Sequence, residues 1–402
     1  MPLPSRCPKK NTNRSLSRVV AALALAGAAA VSAQERGPVT VPLTSLRQAV
    51  DQLGSLDYAT RMGAGRTVRR AAPAQAVPVL LQAVAEHTDG YIRFRALVLL
   101  TGFNDPRTDD AMVEAIGSPN DRLREVSYAY FEQHPNPALT DRLLAALGKE
   151  EGEFVRPSLV RALAALAKDS RVADALVRDA ARGMDYFRST VIEALGDYKV
   201  VAAVSRLTEI ARLEGPLQDD AATALGKIGD TKALATLAEL QRTAPADTQP
   251  AVAAAICLLG VNCVSHIGYL EKTVKFAEQM PGYQELLRGS AAGLGAIAAQ
   301  GHADVLKLLF DVGIPSQEPV RAPVTLAIGL VGLRNIPLML ATLEGRPDQD
   351  AAIGLLAEAF DMLEEDSEEE HFFAEVRRTY WAAADQSPTR ALCERLIARL
   401  DF

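Results

Sequence analysis

Four cysteines and five histidines are the chain's natural candidates for redox or metal chemistry, and their spacing offers little of either. Cys257 and Cys263 flank Leu-Leu-Gly-Val-Asn. In an oxidising compartment they could form a disulfide that staples a turn; otherwise they are two buried thiols acting as small hydrophobes. Cys393 has no evident partner, because Cys7 falls in a leader expected to be removed. Among His87, His134, His266, His302 and His371, no two stand four apart and none follows a Cys-x-x-Cys. Cys263 and His266 could share a helix face, but a two-ligand site is weak. No catalytic residue, cofactor site or metal site is therefore expected.

Three further patterns look chemical at first sight. Gly293-Leu-Gly295-Ala-Ile-Ala298 fits a relaxed dinucleotide fingerprint, which needs a preceding strand to aim its glycines at a pyrophosphate. Here the surrounding periodicity places it inside a helix. Gly289-Ser290 lacks the spacing of a nucleophile elbow, and Ser290 takes a small core position. The run Glu364-Glu365-Asp366-Ser367-Glu368-Glu369-Glu370 lacks the glycine-turned, alternating ligands of a calcium loop. A solvated acidic loop is expected there.

The elements that would position these residues repeat. Val68, Leu100, Phe131, Leu163, Leu195, Leu225, Leu259, Leu294, Ile328 and Phe360 recur at intervals of 30 to 35 residues. Four residues before each sits a small or apolar residue, from Ala64 and Ala96 to Val324 and Leu356, and such pairs share a helix face. Arg61, Arg93, Arg124, Arg156, Arg188 and Arg321 stand seven residues before their markers, where they are expected to link neighbouring units. Gly196, Gly226, Gly260, Gly295 and Gly329 follow theirs directly, either ending the helix or admitting a close neighbour. Each unit reads as a helical hairpin too thin to bury its own apolar stripe, so stacking is required. The fold expected is all-α: a solenoid of about ten HEAT-like hairpins with a C-terminal helical cap. Laid out openly, ten hairpins would make a curved rod about 90 Å long.

The best-preserved unit, Ala-Ala-Thr-Ala-Leu-Gly-Lys-Ile-Gly-Asp-Thr-Lys-Ala-Leu-Ala-Thr-Leu within Leu217–Arg242, resembles the HEAT repeats of the phycobilisome-lyase type. Ala224, Leu225, Gly226, Ile228, Gly229, Asp230, Ala233 and Leu237 match the repeat residue by residue. By phase the likeness runs from Leu53 to Leu363, and it is close only over Val155–Arg242. Since that family is mostly scaffolds, the resemblance implies a binding role, with second helices lining the concave face. Arg178, Arg182, Arg206 and Arg212, on the second helices of two adjacent units, are the partner-binding candidates. The competing expectation is a salt-bridge ladder with Asp174, Asp179 and Glu209. Iron-binding HEAT hydroxylases carry His-Glu dipeptides, whereas this chain has only Glu-His at 86–87 and 370–371.

The ends set the compartment expected. Arg6, Lys9, Lys10, Arg14 and Arg18 precede the apolar run Val19–Ala30, and Val31-Ser32-Ala33 is a small-x-small cleavage site. That is the layout of a secretory signal peptide, too short in its apolar part for a membrane span. Its removal takes five bases from 43 Lys+Arg against 50 Asp+Glu, leaving a net charge of about −12. Such a charge repels nucleic-acid phosphates. The organisation expected is signal peptide 1–33, extended lead-in 34–44, repeat array 45–363, then acidic loop and capping helices 364–402. The function expected is a non-catalytic, exported (periplasmic or extracellular) scaffold that binds a protein or peptide along its concave face, without cofactor, nucleic acid or membrane span. The alternatives are an enzyme related to the bilin lyases, whose known substrates are cytosolic phycobiliproteins, and a self-associating envelope component.

Overall fold

A computed structural model describes residues 37–280, 282–363 and 365–402, apart from the side chains of 278 and 279. The expected signal peptide, the first lead-in residues and Glu364 lie outside the described residues. The chain order opens with α1 Leu43–Gln52, α2 Tyr58–Arg70, α3 Pro73–Glu86, α4 Gly90–Thr101, α5 Arg107–Ala115 and α6 Asp121–Gln133. Next come α7 Thr140–Leu147, α8 Arg156–Ala164, α9 Ser170–Asp179, α10 Asp185–Asp197, α11 Val204–Ala211 and α12 Gln218–Ile228. They are followed by α13 Leu234–Thr243, α14 Gln249–Leu258, α15 Cys263–Gln279, α16 Gln284–Ala299, α17 Ala303–Gly313 and α18 Arg321–Arg334. The last four are α19 Ile336–Glu344, α20 Gln349–Leu363, α21 Asp366–Ala382 and α22 Pro388–Leu400. The lead-in is extended and pinned, with Val39 bridging Ala71 and Val41 held by Gln75.

The repeat markers explain the stacking. All but the half-buried Leu259, which closes α14, lie buried within the even-numbered helices from α2 to α20, and every residue four positions earlier is buried too. Each such pair removes two side chains from water, worth roughly 1.5–3 kcal/mol for a large aliphatic one. Helix starts are set by short acceptor side chains. Asp57, Asp89, Asn120 and Asp169 each accept a backbone N–H of the first turn at 2.8–3.0 Å. The recurrent arginines act at the other end of the preceding hairpin. Arg93 donates to the Val84 carbonyl (2.7 Å), Arg156 to Leu147 (3.0 Å) and Arg188 to Ala180 (3.0 Å). Each cation thus meets the orphan carbonyls and negative dipole end of the second helix before it. Gln218 takes over the arginine's place in its unit, donating to the Ala211 carbonyl at 2.9 Å.

The first helices, not the second, form the inner layer. Glycine explains how closely they approach. A Cβ on Gly196 would lie 2.8 Å from Ala224 Cα, and one on Gly226 would lie 2.4 Å from Ala255 Cα. On Gly329 it would lie 2.8 Å from Ala359 Cβ. Gly260 is the exception: it has φ +78° and ends its helix. An inner layer drawn this tight favours curvature toward the first helices.

The curvature closes the molecule, so the open rod expected from the repeat count is not formed. The C-terminal α21 returns to pack on α4 and α6 as well as α18. Arg69 of α2 pairs with Glu370 at 2.7 Å, Arg95 pairs with Asp366, and Arg66 with Asp401. Phe372, Val376, Tyr380 and the terminal Phe402 are buried in this junction. The acidic run is therefore not a solvated loop. From Asp366 onward it is the first turn of α21, aimed into the arginines of α2 and α4, and Glu370 is among the most buried charges in the protein.

Candidate functional site

Closure leaves a cleft of about 960 Å³ lined by α6, α8, α10, α12, α16, α18 and α21. A side cavity of about 350 Å³ continues from it past Glu132, His371 and Glu375. One wall is a ladder of alternating charge across four successive first helices. Glu132 accepts from Arg161 Nε at 2.8 Å, Arg161 Nη1 reaches Asp197 at 3.0 Å, and Asp197 accepts from Lys227 at 2.7 Å. Tyr198 Oη adds a hydrogen bond to Glu132 at 2.8 Å, and Arg334 of α18 reaches the same carboxylate at 3.4 Å from across the cleft. Glu132 and Arg161 are buried, but each keeps a second charged partner, so removing one should cost less than the ~3–5 kcal/mol of a fully stranded buried charge.

Electrostatics follow this pairing. Burial opposes the Arg161 cation, but Glu132 and Asp197 outweigh it and hold its pKa raised. Burial would also raise Asp197; Lys227 and Arg161 prevail and lower it. The Tyr198 phenol is pushed up by burial and by Glu132. Higher on the same wall, Glu193, Asp219 and Asp220 make no direct ion pair among the described residues, although Arg161 and Lys227 lie near enough to act on Glu193 and Asp220. Asp220 is pushed up to about 6, chiefly by burial, with Asp219 and Glu193 adding to it. The opposite wall is smooth: Ala292, Gly293 and Ala296 of α16, with Leu330 and Leu333 of α18.

The residues singled out in the sequence fall elsewhere. Arg178, Arg182, Arg206 and Arg212 are exposed on or just after α9 and α11, in the outer layer. They do not meet at the cleft. Arg206 pairs with Glu209 and Arg212 lies 3.5 Å from Glu239, while Asp179 is taken by Arg156. The second helices that carry them were expected to line the concave face and do not. The Cys257 and Cys263 sulfurs are joined, with Cα atoms 4.1 Å apart. Cys393 is a buried thiol, pushed up to about 11 by burial. His134 stacks on Tyr130, and His371 reaches the cleft with its pKa lowered by burial. Among the described residues no three His, Cys, Asp or Glu side chains are grouped to hold a metal ion. Gly293–Ala298 is helical throughout.

Glu132, Arg161, Asp197 and Lys227 were not among the sequence candidates, although each lies within two residues of a repeat marker. A charge beside the marker of an otherwise apolar helix was the available signal.

No protein-family profile matches the chain, and no curated protein is significantly similar to it. Among solved structures it is similar to YibA of E. coli, at 16% identity and a TM-score of 0.41, over 55% of this chain and 82% of that one. It is similar to the CpcE–CpcF complex of phycocyanin lyase from Nostoc sp. PCC7120, at 19% identity and a TM-score of 0.40, over 64% and 96%. Importin beta is similar at 13% identity and a TM-score of 0.40, over 89% and 61%. The HEAT-like assignment rests on the chain's own stacked hairpins. No single helix among the described residues is long and apolar enough to cross a membrane.

Proposed function

We propose that the protein is a non-catalytic, exported scaffold that holds a segment of a protein partner in its inner cleft. The observation that carries this reading is the cleft itself: about 960 Å³ left open between α8 and α18, while α21 fills the space beside α4 and α6. The Glu132–Arg161–Asp197–Lys227 ladder and Arg334 tie the wall together across five helices. Such cross-links suit a preformed receptor, which loses little entropy on binding. Their charges are spent on one another and leave the wall's side chains structural.

The test is to block the cleft without touching the core. Ala292 is exposed on the smooth wall, so Ala292→Trp fills the space while α16 keeps its packing. Immobilised wild-type protein should retain a discrete protein from the exported fraction of its native cell, and the Ala292→Trp protein should not. Equal retention by both would overturn the reading. Covalent attachment of an added bilin, with a shifted absorbance, would replace it with the lyase reading.

A further inference from the structure

Two features that a generic scaffold does not need meet at the mouth of the cleft. The inner face of α10 carries Tyr186, Ser189, Glu193 and Asp197 at helical spacing. The last two line the cleft, and Tyr186 stands on the same face about two turns before Glu193, beyond the lining residues and toward the start of α10. Tyr186 Oη donates to the Glu153 carbonyl at 3.4 Å, so Phe154 lies beside it. Phe154 is 83% exposed, Met184 65% and Tyr186 49%. Single exposed apolar residues are ordinary, whereas large ones gathered from adjacent loops mark a contact surface.

Behind this lip the cleft has one acidic and one apolar side. The side chains of Glu193 and Asp219 make no hydrogen bond or ion pair among the described residues, and the Asp220 carboxylate accepts from the Ser189 hydroxyl at 2.5 Å. The cations that act on them, Arg161 and Lys227, are committed to Glu132 and Asp197. Facing them, Ala292, Gly293, Ala296 and Leu330 offer a surface with few protruding atoms.

We propose that this lip and cleft dock a cationic amphipathic helix of another protein. Its apolar side lies on α16, α18 and the Phe154–Met184–Tyr186 lip, and its lysines or arginines face Glu193, Asp219 and Asp220. The proposal rests on the scaffold reading and adds the partner's chemistry. A helix about 10 Å across with its side chains takes up about 120 Å³ per residue. The cleft of about 960 Å³ therefore admits about two turns, and the turns before them cross the lip. Charge decides the partner's sign. An acidic segment would add anions to carboxylates that make no direct ion pair among the described residues, whereas each lysine or arginine neutralises one.

The test uses the whole protein and fluorescence anisotropy with two labelled peptides of about five helical turns. One is an amphipathic helix of Ala, Leu and Lys; the other has Glu in place of Lys. The Lys peptide should bind the wild-type protein and weaken with added salt, and the Glu peptide should not bind. Combining Glu193→Gln, Asp219→Asn and Asp220→Asn should cost at least about tenfold in affinity. Phe154→Ser with Met184→Ser should weaken binding separately, and Glu239→Gln on α13 should change nothing. All variants are first matched to wild type by circular dichroism. Equal binding of the two peptides, or unchanged affinity in the carboxylate variant, overturns the proposal. If Ala292→Trp still abolishes binding in that case, the cleft reading stands and only the cationic partner falls. If Ala292→Trp binds as wild type, both fall. Concentration-dependent light scattering abolished by the lip substitutions would make a second copy the occupant and also overturn it.

Discussion

Gly226→Ala offers a sharp account of how the array closes, because two opposing effects have known sizes. Position 226 is inside α12, where replacing glycine by alanine gains about 1 kcal/mol of helix propensity. The added Cβ, however, would lie 2.4 Å from Ala255 Cα and 2.9 Å from the Ala255 carbonyl oxygen. Those are backbone atoms of the next first helix, and they cannot swing aside as a side chain can. Overpacking of this kind costs about 1–3 kcal/mol, with a backbone clash at the upper end. The net expectation is a loss of about 1–2 kcal/mol. Gly268 is the matched control. It is interior to α15, and a Cβ there would meet nothing within 4 Å. Gly268→Ala should therefore stabilise by about 0.5–1 kcal/mol. Urea unfolding followed by circular dichroism reads both, as opposite shifts of the midpoint at unchanged slope. A Gly226→Ala protein stabilised as much as Gly268→Ala would refute the close inner layer, and with it the explanation of the closure.

The docking of α21 should depend on pH. Glu125 of α6 is pushed up to about 8 by burial and by Glu368, and burial carries Glu368 and Glu369 of α21 to about 7. Carboxyls raised in the folded state favour it while protonated. Their contribution is thus present below about pH 4.5 and is lost as pH rises through 7 and 8. Urea midpoints should fall between pH 6 and pH 9, and Glu125→Gln should recover on the order of 1 kcal/mol at pH 9 and nothing at pH 5; a flat profile in wild type would count against the buried acidic interface. The thiols give an independent check. With Cys257 and Cys263 joined, Cys393 should be the one thiol among residues 37–402 that reacts in the unfolded chain, and it should not react in the native one. Cys257→Ser with Cys263→Ser should cost about 2 kcal/mol, the entropy of so short a loop; an unchanged melting curve would contradict the staple.

The repeat and its core were legible because a ten-fold recurrence of one buried pair is a strong signal. Val68 through Phe360 and their partners four residues earlier were found by phase, and all of these positions lie in the stacked layer. Curvature was not legible, because it depends on the small difference between inner and outer spacing. The glycines after the markers were noticed, but only the 2.4–2.8 Å approaches show that they tighten the inner layer. The acidic run was misjudged for a related reason. Seven consecutive polar residues look solvated until Arg69 and Arg95, about 300 residues earlier, are brought against them. The cleft suffered from a wrong choice of face. The arginines on second helices stand out in the sequence, whereas the ladder lies on first helices, where its charges sit among the apolar markers.

The most direct measurement of the proposed inner-cleft site is site-specific photo-crosslinking from two positions in an extract of the native cell. A photoreactive residue at Thr223, which lines the cleft, is compared with one at Arg206 on the outer layer. The inner-cleft account predicts that Thr223 yields a discrete crosslinked product that disappears when Ala292→Trp is added, while Arg206 yields none. A product from Arg206 alone, or a Thr223 product that survives Ala292→Trp, would contradict it.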